Sequence, residues 1–156
     1  MRQTDGCYVR ILSGMKWIPH FPFYCGMSEI ATSHGCVDMR DHRKLRAFEL
    51  ADALVLEVYA VTATFPREEM FGLTSQLRRG AVSIASNIVE GCTRSTSRDY
   101  LHFLVMAHGA ARELHYQLTV AERLDYLPDG VVVKAADEVC RVLGSLTRRV
   151  DDAVSN

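Results

Sequence analysis

The stretch GLTSQLRRGAVSIASNIVEGCTR, residues 72–94, carries Leu73, Leu77, Ala81, Ile84 and Ile88 at steps of 4, 4, 3 and 4. That spacing gathers the apolar side chains on one face of an α-helix. Gly80, Ala81, Ser83, Ala85 and Ser86 stand on the inner side with them, and side chains this small let a second helix come close. Asn87 and Glu90, three residues apart, share a face. Gly91 is expected to lie just beyond the last turn, because glycine takes the left-handed conformation at least cost. A lone amphipathic helix leaves its apolar stripe in water, so this reading requires partner helices.

The flanks supply them. Upstream, Phe48, Ala51, Val55, Val58, Thr62 and Phe65 step by 3, 4, 3, 4 and 3, an unbroken seam. Pro66 is expected to end that helix and to open the next, where its missing N–H costs nothing, with Glu68 and Glu69 in a first turn that favours negative charge. Downstream, Thr96 and Asp99 have the spacing of a capping box. They precede a long stripe through Leu101, Leu104, His108, Ala111, Leu114, Leu118 and Ala121. Leu-Pro-Asp-Gly at 127–130 marks a turn. Val132, Ala136, Val139, Leu143, Leu146 and Val150 form the last stripe. No alternating strand pattern competes. Four amphipathic helices with short connections predict an all-α fold, an antiparallel up-down-up-down four-helix bundle over residues 39–156.

Residues 1–38 read as an irregular extension. They hold three of the five cysteines, Trp17, Pro19 and Pro22, and show neither a helical nor a strand period. The expectation is upstream DNA translated from too early a start, with Met39 opening the helical domain; the alternative is an appendage that docks on a partner.

The chain of 156 residues is 48% apolar and 24% charged, with a net charge of -1. This is an ordinary globular balance, without the global basic excess of a nucleic-acid binder. Cys7, Cys25, Cys36, Cys92 and Cys140 are odd in number and show no CxxC spacing, which argues against a disulfide framework or a zinc site. The most apolar run, ALVLEVYAV, is broken by Glu57 and falls short of the roughly 20 residues a membrane span needs. A cytoplasmic protein with reduced thiols, away from the membrane, is expected.

Over about residues 40–150 the chain resembles the four helix bundle protein family, which includes proteins encoded by intervening sequences within large-subunit ribosomal RNA genes. The accessory variability determinant of diversity-generating retroelements is a related bundle. The resemblance rests on FPREEMFGL at 65–73, Gln76-Leu77-Arg78-Arg79, Ala81-Val82-Ser83-Ile84, Ser86-Asn87-Ile88 and Glu90-Gly91. Arg94, Phe103-Leu104, Ala107, Gly109 and Glu113-Leu114 complete it. Ala85 stands where the family has Pro, so a less kinked second helix is expected; Val89, His108 and Ala110 also depart from the pattern. The resemblance implies a homopentamer and does not imply a known enzymatic activity. For the retroelement relative it implies binding to nucleic acid and to a reverse transcriptase.

Arg78, Arg79, Arg94 and Arg98 are the candidate contacts to RNA or DNA, expected to cluster around one end of the second and third helices. Asn87, Glu90 and Glu113 are expected to join a structural polar network with an arginine, since such groups on an inward face need partners. No catalytic residue, cofactor or metal site is assigned. His102, His108 and His115 share the third helix, but no Glu has His three residues on, as a di-iron bundle requires. Tyr59, Phe71, Tyr100, Phe103, Tyr116 and Tyr126 offer more aromatic surface than one small core takes, which points to an interface. The functional expectation is a non-enzymatic homo-oligomeric scaffold or adaptor for RNA, DNA or a protein partner such as a reverse transcriptase. The alternative is a small enzyme or ligand-binding bundle using Glu90 with His108 or Glu113.

Overall fold

The computed structural model describes residues 40–127 and 130–155. Residues 1–38, and Pro128 and Asp129 of the expected 127–130 turn, lie outside the described residues. The described chain forms four α-helices: α1 (Arg46–Val61), α2 (Leu73–Cys92), α3 (Ser97–Arg123) and α4 (Val131–Ser155). Each packs on two neighbours, α1 on α2 and α4, and α3 on α2 and α4, while the backbones of the diagonal pairs stand apart. Neighbours run antiparallel: a Cβ on Gly80 would touch Leu114, and one on Gly91 would touch Phe103, so advance along α2 is retreat along α3. This is the all-α up-down bundle that the four stripes predict.

The core is built from those stripes. Leu54, Leu77, Ile84, Ile88, Leu104, Leu114, Leu118 and Leu143 are fully buried. Burying one such side chain is worth about 1.5–3 kcal/mol, which is what fixes the rotation of each helix. In α1 the inner line runs Ala47, Ala51, Leu54, Val58, with the expected Phe48 and Val55 packed partly buried on its flank. A helix with two neighbours buries a band wider than one seam, so adjacent columns share the work. α2 is unbroken through Ala85. Cys92 and Cys140 are free and buried.

Two helix ends differ from expectation. Pro66 does not open α2: it precedes a short 3-10 turn, Arg67–Glu69. The helix starts at Leu73, whose N–H donates to Glu69 Oε2 at 3.0 Å. The carboxylate thus caps α2 from outside rather than sitting in its first turn. Gly91 is not a left-handed residue beyond α2 but lies inside its last turn. A Cβ there would fall 2.9 Å from Phe103 Cβ and 3.3 Å from Tyr100 Cδ2. The glycine serves the approach of α3, not the reversal of the chain.

The α3 ends follow known stereochemistry. Thr96 Oγ1 accepts from Asp99 N at 3.0 Å and lies 2.7 Å from Asp99 Oδ2, satisfying one free N–H of the first turn. At the other end Tyr126 N donates to Ala121 O and Asp125 N to Glu122 O, with Asp125 at φ 57°. This is a Schellman ending with Asp in the place usually held by Gly. Among the described residues no helix is long and apolar enough to cross a membrane.

Candidate functional site

A hollow of about 720 Å³ opens beside the start of α2 and is walled by Tyr59, Met70, Phe71, Arg78, Arg79 and Val82, with Glu113 of α3 across from them. The sequence builds it locally. The 3-10 turns between α1 and α2 carry Met70 and Phe71 outward, and Phe71 is 90% exposed. Thr62 Oγ1 donates to Val58 O at 2.7 Å and accepts from Arg78 Nε at 2.9 Å. The Arg78 guanidinium also lies 4.9 Å from the centroid of the Tyr59 ring, a cation–π geometry. Arg78 is therefore tethered to α1, whereas Arg79 is exposed. Thr74, also in the wall, is buried with no partner for its hydroxyl within the described chain.

The expected arginine cluster divides in two. Arg79 and the end of α2 are separated by about 20 Å of helix at about 1.5 Å per residue, so Arg78 and Arg79 stand away from Arg94 and Arg98. At the far end Arg94 pairs with Glu90 and lies 4.6 Å from the Phe103 ring centroid, while its buried Nε has no partner. Arg40 donates to Arg94 O and to Ser97 Oγ, at 3.4 and 3.1 Å, and stacks 4.5 Å from the Tyr100 ring. Arg149 of α4 shares a hollow with Arg40 and Ser97. The basic group at this end is thus Arg40, Arg94, Arg98 and Arg149. Arg40 was not foreseen, because it precedes every periodic segment.

Asn87, Glu90 and Glu113 are each paired with a residue four positions away in the sequence. Asn87 Nδ2 donates to Ser83 O at 2.8 Å, Glu90 takes Arg94, and Glu113 accepts from Gln117 Nε2 at 3.1 Å. Among the described residues no network joins them inside one chain. Glu90, His108 and Glu113 line three different hollows, so the structure does not assemble the catalytic pairs of the enzyme alternative. The physical reason is helical register: His108 faces α4, and Glu90 lies well along α2 from the level of Glu113. Among the described residues no three His, Cys, Asp or Glu side chains converge as metal ligands would. Of the six aromatics, Tyr100 is buried in the core, Tyr126 and Phe103 are half-buried, and Tyr59, Phe71 and Tyr116 are exposed.

No curated protein matches the chain. Among solved structures it is similar to a protein with unknown function from the S23 ribosomal protein family of Bacteroides thetaiotaomicron, at 20% identity and a TM-score of 0.60, covering 65% of this chain and 95% of that one. At that identity the likeness concerns the fold. Residues 43–148, from the turn before α1 to near the end of α4, match the 23S rRNA-intervening sequence protein family. The chain belongs to the 23S rRNA-intervening sequence protein family.

Proposed function

We propose that the chain is a cytoplasmic, non-enzymatic scaffold that works as a homo-oligomer, a ring of five as the resemblance implies. The observation that carries this is the apolar surface around the α1–α2 corner: Tyr59, Met70, Phe71 and Val82 are all exposed about one hollow. Contiguous apolar exposure of this kind marks a contact surface. Arg79 and Glu113 at its margin fit a polar rim around an apolar centre. Met106, itself exposed, and Gly109 extend the surface along α3. A Cβ on Gly109 would meet nothing within 4 Å, so packing inside the chain gives no reason for glycine there, where it costs about 0.5–1 kcal/mol against alanine. Close approach of another subunit does. In a ring the Arg40, Arg94, Arg98 and Arg149 end recurs in every subunit, which supports weak contacts to RNA or DNA multiplied by repetition.

Light scattering on the full chain at micromolar concentration tests the assembly. A mass of five chains is expected, and a mass of one chain overturns the proposal. Phe71→Glu is expected to dissociate the oligomer while leaving helix content by circular dichroism unchanged, because Phe71 is nearly free of its own bundle.

A further inference from the structure

A second furrow, on the other side of α3 from the assembly surface, runs between α3 and α4. It encloses about 310 Å³ between His108 and Arg112 of α3 and Asp137, Arg141, Gly144 and Arg148 of α4. Register explains the convergence. His108 and Arg112 are one turn apart, and the four α4 residues recur at steps of 4, 3 and 4, so both rows face the same furrow. Gly144 is the point of closest approach: a Cβ there would lie 3.3 Å from both Cε1 and Nε2 of His108. The missing side chain is what lets the imidazole lie in the furrow.

The charges here do not cancel. Arg141 Nε bonds Asp137 Oδ2 at 3.1 Å, which occupies the carboxylate in the wall. Arg112 and Arg148 have no carboxylate partner among the described residues. Burial first, and then these two guanidiniums, hold the His108 imidazole below its usual range. Cations gathered beside a half-buried imidazole repel one another at a cost that an anion between them would remove. A guanidinium fork meets phosphate oxygens two at a time, and donors arriving from both walls suit a tetrahedral oxyanion better than a flat carboxylate.

We propose that the α3–α4 furrow binds a phosphate-class anion between Arg112 and Arg148, with protonated His108 as a third donor. Binding is then linked to a proton. The groups facing His108 are Arg112 from its own helix, and Arg148, Arg141, Asp137 and the Cys140 thiol from α4. Burial pushes the Cys140 thiol up, so it stays neutral. His108 is the wall group that gains a proton as pH falls, and burial and the guanidiniums hold that step below the usual imidazole range. A bound anion favours the imidazolium, so the titration midpoint of His108 rises on binding, and affinity grows as pH falls toward that midpoint.

The test is an NMR titration of the full chain labelled with 13C in histidine, at low salt, with inorganic pyrophosphate and separately with a short oligouridine RNA. The expected result is an upward move of the His108 midpoint while exposed His102 stays. Arg112→Gln and Arg148→Gln should each weaken binding about tenfold, the loss of one charge-assisted contact. Both side chains are exposed, so both variants should fold. A response to RNA at far lower concentration than to pyrophosphate assigns the phosphate to a nucleic-acid backbone; a response to pyrophosphate alone assigns it to a small phosphorylated ligand. No movement of His108 with either probe, or a movement that survives both substitutions, overturns the proposal. It stands apart from the assembly reading: Phe71→Glu should dissociate the oligomer and keep the His108 response.

Discussion

Gly91 shows how one missing Cβ sets a distance between helices. Alanine is the better helix former, by about 0.5–1 kcal/mol, so propensity alone says Gly91→Ala should stabilise α2. The contact says otherwise. The atom it would meet at 2.9 Å is Phe103 Cβ, which is fixed to the α3 backbone and cannot swing aside as the end of a long side chain can. Gly91→Ala is therefore expected to lower stability by about 1–3 kcal/mol, the usual range for overpacking, and urea melts measure it. A variant as stable as the parent would show that α2 and α3 part without cost. Near the end of an apolar stripe a glycine reads naturally as a C′ residue. Only the distance to another helix separates that role from the one found, and sequence spacing along one helix holds no such distance. His108 is a similar case: its half-buried state follows from its stripe, but the Arg148 guanidinium beside it and the Gly144 gap that admits its ring come from another element.

At the scale of the element, periodicity carried most of the reading. The stripes of α2, α3 and α4 are the buried residues of those helices to within a neighbouring column, because burying a row of leucines outweighs every weaker preference. Helix ends were less legible. The Thr96–Asp99 cap was readable because both partners lie three residues apart in sequence. The start of α2 was not, because a 3-10 turn and an external carboxylate replaced the expected proline start. The end of α3 gives a test. Asp125 holds φ 57°, a conformation that costs a residue with a Cβ about 1 kcal/mol or more. Asp125→Gly should raise the thermal midpoint, whereas Thr96→Ala should lower stability by about 1 kcal/mol through loss of the α3 cap. Calorimetry on the two variants should give shifts of opposite sign; shifts of the same sign would refute the Schellman ending or the cap.

For the whole molecule, the bundle was legible and its outer surface was not. Arg78, Arg79, Arg94 and Arg98 look like one group in the sequence because the chain returns on itself at residues 93–96. The length of α2 instead carries the two pairs toward different ends, and Arg40 and Arg149 arrive at one of those ends from other elements. Grouping on a bundle surface depends on the level each residue reaches along its helix, which follows only once all four helices are placed.

The four-residue turn between α2 and α3, with Gly91 seated against Phe103 just beyond it, also bears on the order of events in time. Contacts close in sequence cost little loop-closure entropy, and chains rich in them fold quickly. The α2–α3 hairpin is thus the part expected to form first, with α1 and α4 closing over it. Stopped-flow kinetics should divide the variants accordingly. Gly91→Ala should act mainly by slowing folding. Val139→Ala, in the core face of α4, should act mainly by speeding unfolding; the reverse division would mean that α4 belongs to the nucleus. As the chain leaves the ribosome, the hairpin would then be complete before α4 has been made, and its apolar face would wait uncovered until the last helix arrives.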